Sequence, residues 1–206
     1  MIPEDTRLIV IDPGHGGKDQ GAQSKIYPKC LEKNMALSTA KMVESFLRSY
    51  GYKTVMTRTD DSYLTLKERA KFANDKIAKL FVSVHFNAAE NRKAHGIEVY
   101  YFNSEPEKKK TESSKKLAAL VLDNVIVTTK GKSRGIKHGN FAVIRETKMP
   151  GIIVEGGFIT NDDEVEKIKD AAYMKKIALG IAQGIRKYLQ AEGDCPRRDS
   201  NARPVA

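Results

Sequence analysis

Two histidines and two glutamates stand where buried segments end. His15 lies just past the first hydrophobic run, in Asp12-Pro13-Gly14-His15-Gly16-Gly17, and the apolar stretch Leu80 to Val84 runs directly into His85. Glu32 opens the first long helical stretch, and Glu155 closes the apolar run Ile152-Ile153-Val154. Imidazole nitrogen and carboxylate oxygen are donors for a catalytic zinc, which takes three protein ligands and keeps a fourth position for water. His15, Glu32 and His85 supply such a set. A further carboxylate near the water can take its proton as general base, while the metal lowers the water's pKa and polarises a carbonyl. Glu155 is the candidate for that role. Read singly, the residues have plainer uses: a hydrogen-bonded surface imidazole, or an acidic group favoured at a helix N-terminus. Glu155 resists such a reading, because a carboxylate continuing a buried strand is expensive unless it is paired or metal-bound.

The elements that must position these groups alternate between strand and helix signals, the pattern of an α/β sandwich. Arg7 to Asp12 reads as a strand and Glu32 to Tyr50 as a helix, with Met35, Val43, Phe46, Leu47 and Tyr50 on one stripe and Gly51 as its stop. Lys53 to Arg58 is a second strand, and Thr65 with Glu68 forms a capping box opening a helix to about Lys76. Leu80 to His85 and Gly96 to Phe102 read as strands that could be neighbours, and Ser113 to about Val127 as a helix. Phe141 to Arg145 and Ile152 to Glu155 read as short strands; Asn161 caps a helix over Asp162 to Ile168, and Ala171 to Leu189 is a long closing helix. Ligands in open α/β sheets gather outside the carboxyl ends of the strands. His15, His85 and Glu155 each follow an apolar run at that end, so they can converge across long sequence separations. The expectation is one domain over residues 1–190, a twisted, mostly parallel sheet of about six strands with helices on both faces. Residues 191–206 lack periodicity and are expected to be a disordered tail or a cloning scar.

With these residues on the page, the sequence resembles the zinc-dependent N-acetylmuramoyl-L-alanine amidases of the type often called amidase 3. The resemblance rests on DPGHGGxDxGA at Asp12 to Ala22, the pair Glu32-Lys33, and the series Arg58, Asp60, Leu64, Leu66, Arg69, Ala73 and Asn74. It continues through FVSVHFNA at Phe81 to Ala88, GxEVYY at Gly96 to Tyr101 and VEGGFITN at Val154 to Asn161. It implies that one zinc is held by His15, Glu32 and His85, that Glu155 is the catalytic glutamate, and that the substrate is the amide joining N-acetylmuramic acid to L-alanine of the peptidoglycan stem peptide. Asn87 and Arg145 are candidate substrate contacts, each with a structural hydrogen bond as its competing role. The chain departs from the family where Asn34-Met35 follows Glu32-Lys33 in place of an acidic residue and Asn-Leu, and Cys30 lies two residues before Glu32. A thiolate there could compete for zinc, although a small buried side chain is the simpler use. Regulated relatives carry a long inhibitory helical insertion; Asn103 to Lys130 has room for one ordinary helix and no such plug.

Two alternatives have different sequence requirements. A zinc carboxypeptidase normally places its first histidine and glutamate within one helical turn or short loop, unlike His15 and Glu32. A noncatalytic wall-binding module needs no general base, so Glu155 speaks against it. The formal net charge of +10 sits in the body of the chain, because Arg197, Arg198 and Arg203 balance Glu192, Asp194 and Asp199 in the tail. Such an excess favours acidic partners. No nucleic-acid module accompanies it, and an anionic bacterial wall suits it better. No segment approaches the roughly twenty apolar residues of a membrane span. The chain opens without a signal peptide's apolar core, so an extracytoplasmic (periplasmic or secreted) place of work implies a removed signal or another route. Two cysteines, one in the tail, make no disulfide framework. The expected working unit is a monomer.

Overall fold

The computed structural model describes residues 8–194. Six strands form one sheet: β1 (Ile9–Pro13), β2 (Thr54–Met56), β3 (Leu80–Asn87), β4 (Ile97–Tyr101), β5 (Ser133–His138) and β6 (Gly151–Phe158). Their order is β2-β1-β3-β6-β4-β5, and every neighbouring pair is parallel except β4 with β6. The helices are α1 (Glu32–Ser49), α2 (Leu66–Asp75), α3 (Lys108–Thr129), α4 (Ala142–Arg145), α5 (Asp162–Lys169) and α6 (Ala171–Ala191). The mostly parallel α/β sheet expected from the sequence is therefore present, and helices cover both faces.

Period-two alternation along each strand decides which residues meet which helices. Ile9, Ile11, Leu80, Val82, Val84, Ile152 and Val154 face the larger core, where α1, α3 and α6 pack. Val10, Phe81 and Ile153 face the smaller core with Ala73 of α2 and Val143 and Ile144 of α4. Continuing the second set by twos gives Asp12, Ser83, His85 and Glu155. The polar residues thus share the thinly covered face, toward the carboxyl ends of three parallel strands.

Local signals explain most boundaries. Thr65 and Glu68 form the reciprocal capping box of α2, and Asn161 accepts from the backbone N–H of Glu164 to start α5. Residues 103–130 hold one short 3-10 turn and α3, whose Leu117, Val121 and Val125 are buried in the main core. That helix is committed to packing. Gly180 and Gly184, one turn apart on α6, let it approach α3 very closely: a Cβ at Gly184 would lie 2.4 Å from Val121 Cα, and one at Gly180 would lie 2.5 Å from Val125 Cα.

Three expectations need correction. Phe141 to Arg145 is not a strand: the amide of Arg145 donates to the carbonyl of Phe141 at 2.9 Å, closing one turn of helix α4. A short apolar run carries no period long enough to separate the two states. β3 and β4 are not neighbours, because β6 lies between them. β5 was not anticipated at all; as an edge strand of sequence SRGIKH it has no apolar alternation to announce it. At the other end, α6 extends to Ala191, and ion pairs Lys116–Glu192 at 2.8 Å and Lys79–Asp194 at 2.6 Å hold the next residues. The rest of the tail, 195–206, lies outside the described residues.

The α3–α6 contact gives a prediction with an unusual sign. Gly184→Ala should lower stability by about 1 to 3 kcal/mol in urea unfolding, because backbone stands in the way of the added methyl. At an open helical site the same change raises stability by about 1 kcal/mol. A gain in stability would show that the two helices separate without penalty.

Candidate metal centre

Glu32 begins α1 and turns its buried carboxylate back under the loop that follows β1. Its Oε2 accepts from the Ala22 amide at 2.8 Å, and its Oε1 accepts from the Phe86 amide at 3.1 Å. Oε1 also lies 3.0 Å from His15 Nε2 and 3.0 Å from His85 Nδ1. One donor atom from each of His15, Glu32 and His85 falls within 4.8 Å of the others, the one grouping of potential metal-holding side chains among the described residues. The structure therefore brings together all three residues singled out as ligands. The two imidazoles meet edge to face, with centroids 4.9 Å apart.

Burial alone would push the Glu32 carboxyl up, but hydrogen bonds and charge from both histidines hold it far below the usual carboxylate range. Burial likewise opposes charge on His15 and His85, and Glu32, joined by Asp19 at His15 and by Glu155 at His85, outweighs it and raises both. Asp19 accepts or shares a hydrogen bond with His15 Nδ1 at 2.9 Å and so fixes the ring from behind. The protein has built a site that wants positive charge. Two rings and a carboxylate sharing protons at 3.0 Å are a donor set of the type, number and spacing that a metal ion takes over on displacing those protons.

Holding His15 in place requires local strain. Its φ is 60°, a left-handed conformation costing an ordinary residue about 1 kcal/mol or more. Two buried arginines secure the turn. Arg58 donates to the carbonyls of Pro13 at 3.0 Å and Gly14 at 2.7 Å, and Arg69 donates to those of Pro13 and His15 at 2.6 Å each. Arg69 is in turn fixed by Asp12 at 2.8 Å, whose carboxylate also accepts from Thr57 and Ser83. Arg58, Arg69 and Asp12 had no role in the reading from residue chemistry, although Asp12 gave the same signal as Glu155: a carboxylate ending a buried strand. Gly14 adds a packing constraint, since a Cβ there would lie 2.3 Å from His85 Cε1.

Glu155 sits on β6 directly beside His85 of β3. Its Oε2 is buried and has no hydrogen-bond partner. Burial pushes its carboxyl up to about 7, with His85 pulling the other way and Glu32 and Glu98 adding to the rise. On the other side Glu155 faces Glu98 of β4. Asn87, a candidate substrate contact, spends its amide on Glu98 Oε1 at 2.6 Å. Arg145, the other candidate, binds the side chains of Asn140 at 2.6 Å and Glu146 at 3.0 Å. Cys30 is buried in the main core and stands outside the grouping, with burial raising its thiol. His95 and His138 also stand outside it. A cleft lined by Tyr63, Leu66 and Val143 opens onto His15 and His85, giving the centre access to solvent.

These contacts predict that Gly14→Ala, remote from any charged atom it could remove, displaces the His85 ring. Metal titration should show affinity weaker by about 10-fold or more, as for loss of a supporting contact around a metal ligand. Unaltered affinity would mean that the ring has another place to sit.

Comparison with known proteins identifies the family. The family model for N-acetylmuramoyl-L-alanine amidase matches residues 9–187. The probable cell wall amidase LytH of Staphylococcus aureus is 35% identical over 191 residues, covering 92% of this chain; the chain spans 60% of that relative's length. The crystal structure of an N-acetylmuramoyl-L-alanine amidase from Clostridium difficile 630 superposes with a TM-score of 0.86 at 40% identity, covering 92% of this chain and 100% of the other. The catalytic domain of CwlV, an N-acetylmuramoyl-L-alanine amidase from Bacillus (Paenibacillus) polymyxa var. colistinus, gives 0.82 at 39% identity, covering 89% and 98%. With the match extending from the first strand into the last helix, the chain belongs to the N-acetylmuramoyl-L-alanine amidase family.

Proposed function

We propose that this chain is a peptidoglycan hydrolase that cleaves the amide between N-acetylmuramic acid and L-alanine of the stem peptide, using one zinc held by His15, Glu32 and His85. The observation that carries the reading is the adjacency of a converged His-Glu-His donor set to Glu155, a buried carboxylate with an unpaired oxygen. Family membership supplies the substrate. Zinc, when bound, supplies Lewis acidity toward the scissile carbonyl and makes the attacking water more acidic.

The chain's own residues do the rest. Glu155 takes the water's proton at its free Oε2 and later gives it to the departing amine. Burial, which favours the protonated carboxyl, helps Glu155 hold that proton between the two transfers. Glu32 and Asp19 orient the two imidazoles, and Arg58 and Arg69 keep the His15 turn rigid. The substrate enters along the cleft beside Tyr63 and Leu66. Such work on the wall would be done outside the cytoplasm. Because α3 is part of the core, residues 103–130 hold no inhibitory helix.

Purified muropeptide digestion, followed by mass spectrometry, tests the reaction directly. Glu155→Gln should retain zinc and lose about 100-fold to 10,000-fold in rate, the usual worth of general acid-base assistance. His85→Ala should lose zinc and turnover together. Wild-type hydrolysis by a zinc-loaded Glu155→Gln protein, or full zinc occupancy in His85→Ala, would overturn the assignment. Cleavage without any added activator should be seen in the same assay.

A further inference from the structure

The sheet carries a second charged assembly, one strand beyond Glu155. Glu98 is 2% exposed, yet its carboxylate accepts from Arg134 Nε at 2.7 Å, Lys137 Nζ at 2.5 Å, Tyr100 Oη at 2.7 Å and Asn87 Nδ2 at 2.6 Å. Arg134 and Lys137 are three residues apart on β5, a spacing that a regular strand sends to opposite faces. A bulge prevents this. Ile97 pairs with Ser133 but Val99 pairs with Ile136, so β5 carries one extra residue across that interval, and Gly135 takes a φ of +82° within it. Bulges re-aim side chains, and this one delivers both cations to the face that holds Glu155.

Charge balance shows what the assembly leaves over. Two cations and one carboxylate give a net charge of one positive unit, and the side chains of Arg134 and Lys137 remain 31% and 36% exposed. Glu98 is the fixed base on which they stand. Its four hydrogen bonds mean that neither cation needs to pivot far when an anion arrives. Opposite, the cleft beside His15 is lined by Tyr63, Leu64, Leu66 and Val143 together with Asp12, Asp19 and Arg69, so its carboxylates outnumber its one guanidinium. The centre is therefore asymmetric: basic toward β5, with apolar side chains and an excess of carboxylate toward α2.

We propose that Arg134 and Lys137, held by Glu98, form a subsite that reads a free carboxylate on the peptide side of the substrate. This rests on the amidase reading above and gives the substrate a direction, with the uncharged sugar toward Tyr63 and Leu66 and the peptide across β4 toward β5. Both cations meet Glu98, which pairs with Glu155 across β4 and β6, and the Arg134 guanidinium also stacks 4.8 Å from the Phe158 ring of β6, so the pair lies about one strand spacing, about 5 Å, from Glu155. An extended peptide covers that in one or two residues at about 3.4 Å each, so the carboxylate belongs to a residue within about two of the scissile amide. Charge-assisted hydrogen bonds of this kind distinguish a carboxylate from its carboxamide.

The test uses a matched pair of soluble muropeptides bearing either a carboxylate or a carboxamide at the second peptide residue, with zinc-loaded Glu155→Gln protein so that binding is read without cleavage. Calorimetry should give about 5-fold to 10-fold tighter binding of the carboxylate, a modest value for a part-exposed charged contact. Adding Lys137→Gln should remove most of that preference while changing carboxamide binding less than about 2-fold, and Lys137→Arg should restore it. Equal affinity for the two ligands, or a preference that survives both Lys137→Gln and Arg134→Gln, overturns the subsite. Wild-type turnover of the same pair separates this outcome from failure of the reaction: a preference lost in Lys137→Gln with neither ligand cleaved keeps the subsite and removes the amidase reading. Cleavage of both ligands without any preference does the reverse.

Discussion

A single carboxylate, that of Glu32, ties together the parts of the chain on which the proposed chemistry depends. It is the first residue of α1, yet it touches the His15 loop after β1, the Ala22 amide and the edge of β3 at His85 and Phe86. A buried carboxylate without such partners would protonate or drag its helix toward water. Here both oxygens have donors, and two of the donors are imidazoles whose shared protons a metal can displace. One group thus links the start of α1, the turn at His15 and the ring of His85.

The same economy of placement explains why the site lies on the thinner face. Helices α1, α3 and α6 fill the other face with aliphatic side chains, whereas α2 and α4 reach only part of the second. Polar residues at the strand ends are thus exposed to a cleft without being surrounded by water. Burial in that setting pushes Glu155 up, and the Asp12–Arg69 pair, itself buried, keeps the strained His15 turn from relaxing. Breaking such a pair leaves an uncompensated charge, which is why the support is rigid.

Much of this was legible in the sequence because strand ends have a direction. His85 and Glu155 follow apolar runs, and parallel neighbours bring the ends of such runs to one edge, as their register beside one another shows. The capping residues Thr65 and Asn161 announced α2 and α5 for a purely local reason. Other features were hidden by physics that is not local. β5 has polar residues and a bulge where a strand should alternate, and its place depends on Glu98 receiving Arg134 and Lys137. Phe141 to Arg145 is apolar in either conformation, so only its surroundings chose the helix. The insertion of β6 between β3 and β4 defeats the expectation that consecutive strands pair. Arg58 and Arg69 act through backbone carbonyls, which no pattern of side chains encodes.

The proposed metal site consists of Glu32 and two imidazoles, with no sulfur. X-ray absorption at the zinc edge of the loaded protein addresses the ligands themselves. Two imidazole nitrogens and carboxylate oxygen are expected at about 2.0 to 2.2 Å, with imidazole multiple scattering and no sulfur shell. A scatterer at about 2.3 Å, the zinc–sulfur distance, would bring Cys30 into the site and contradict it, as would a shell with oxygen alone.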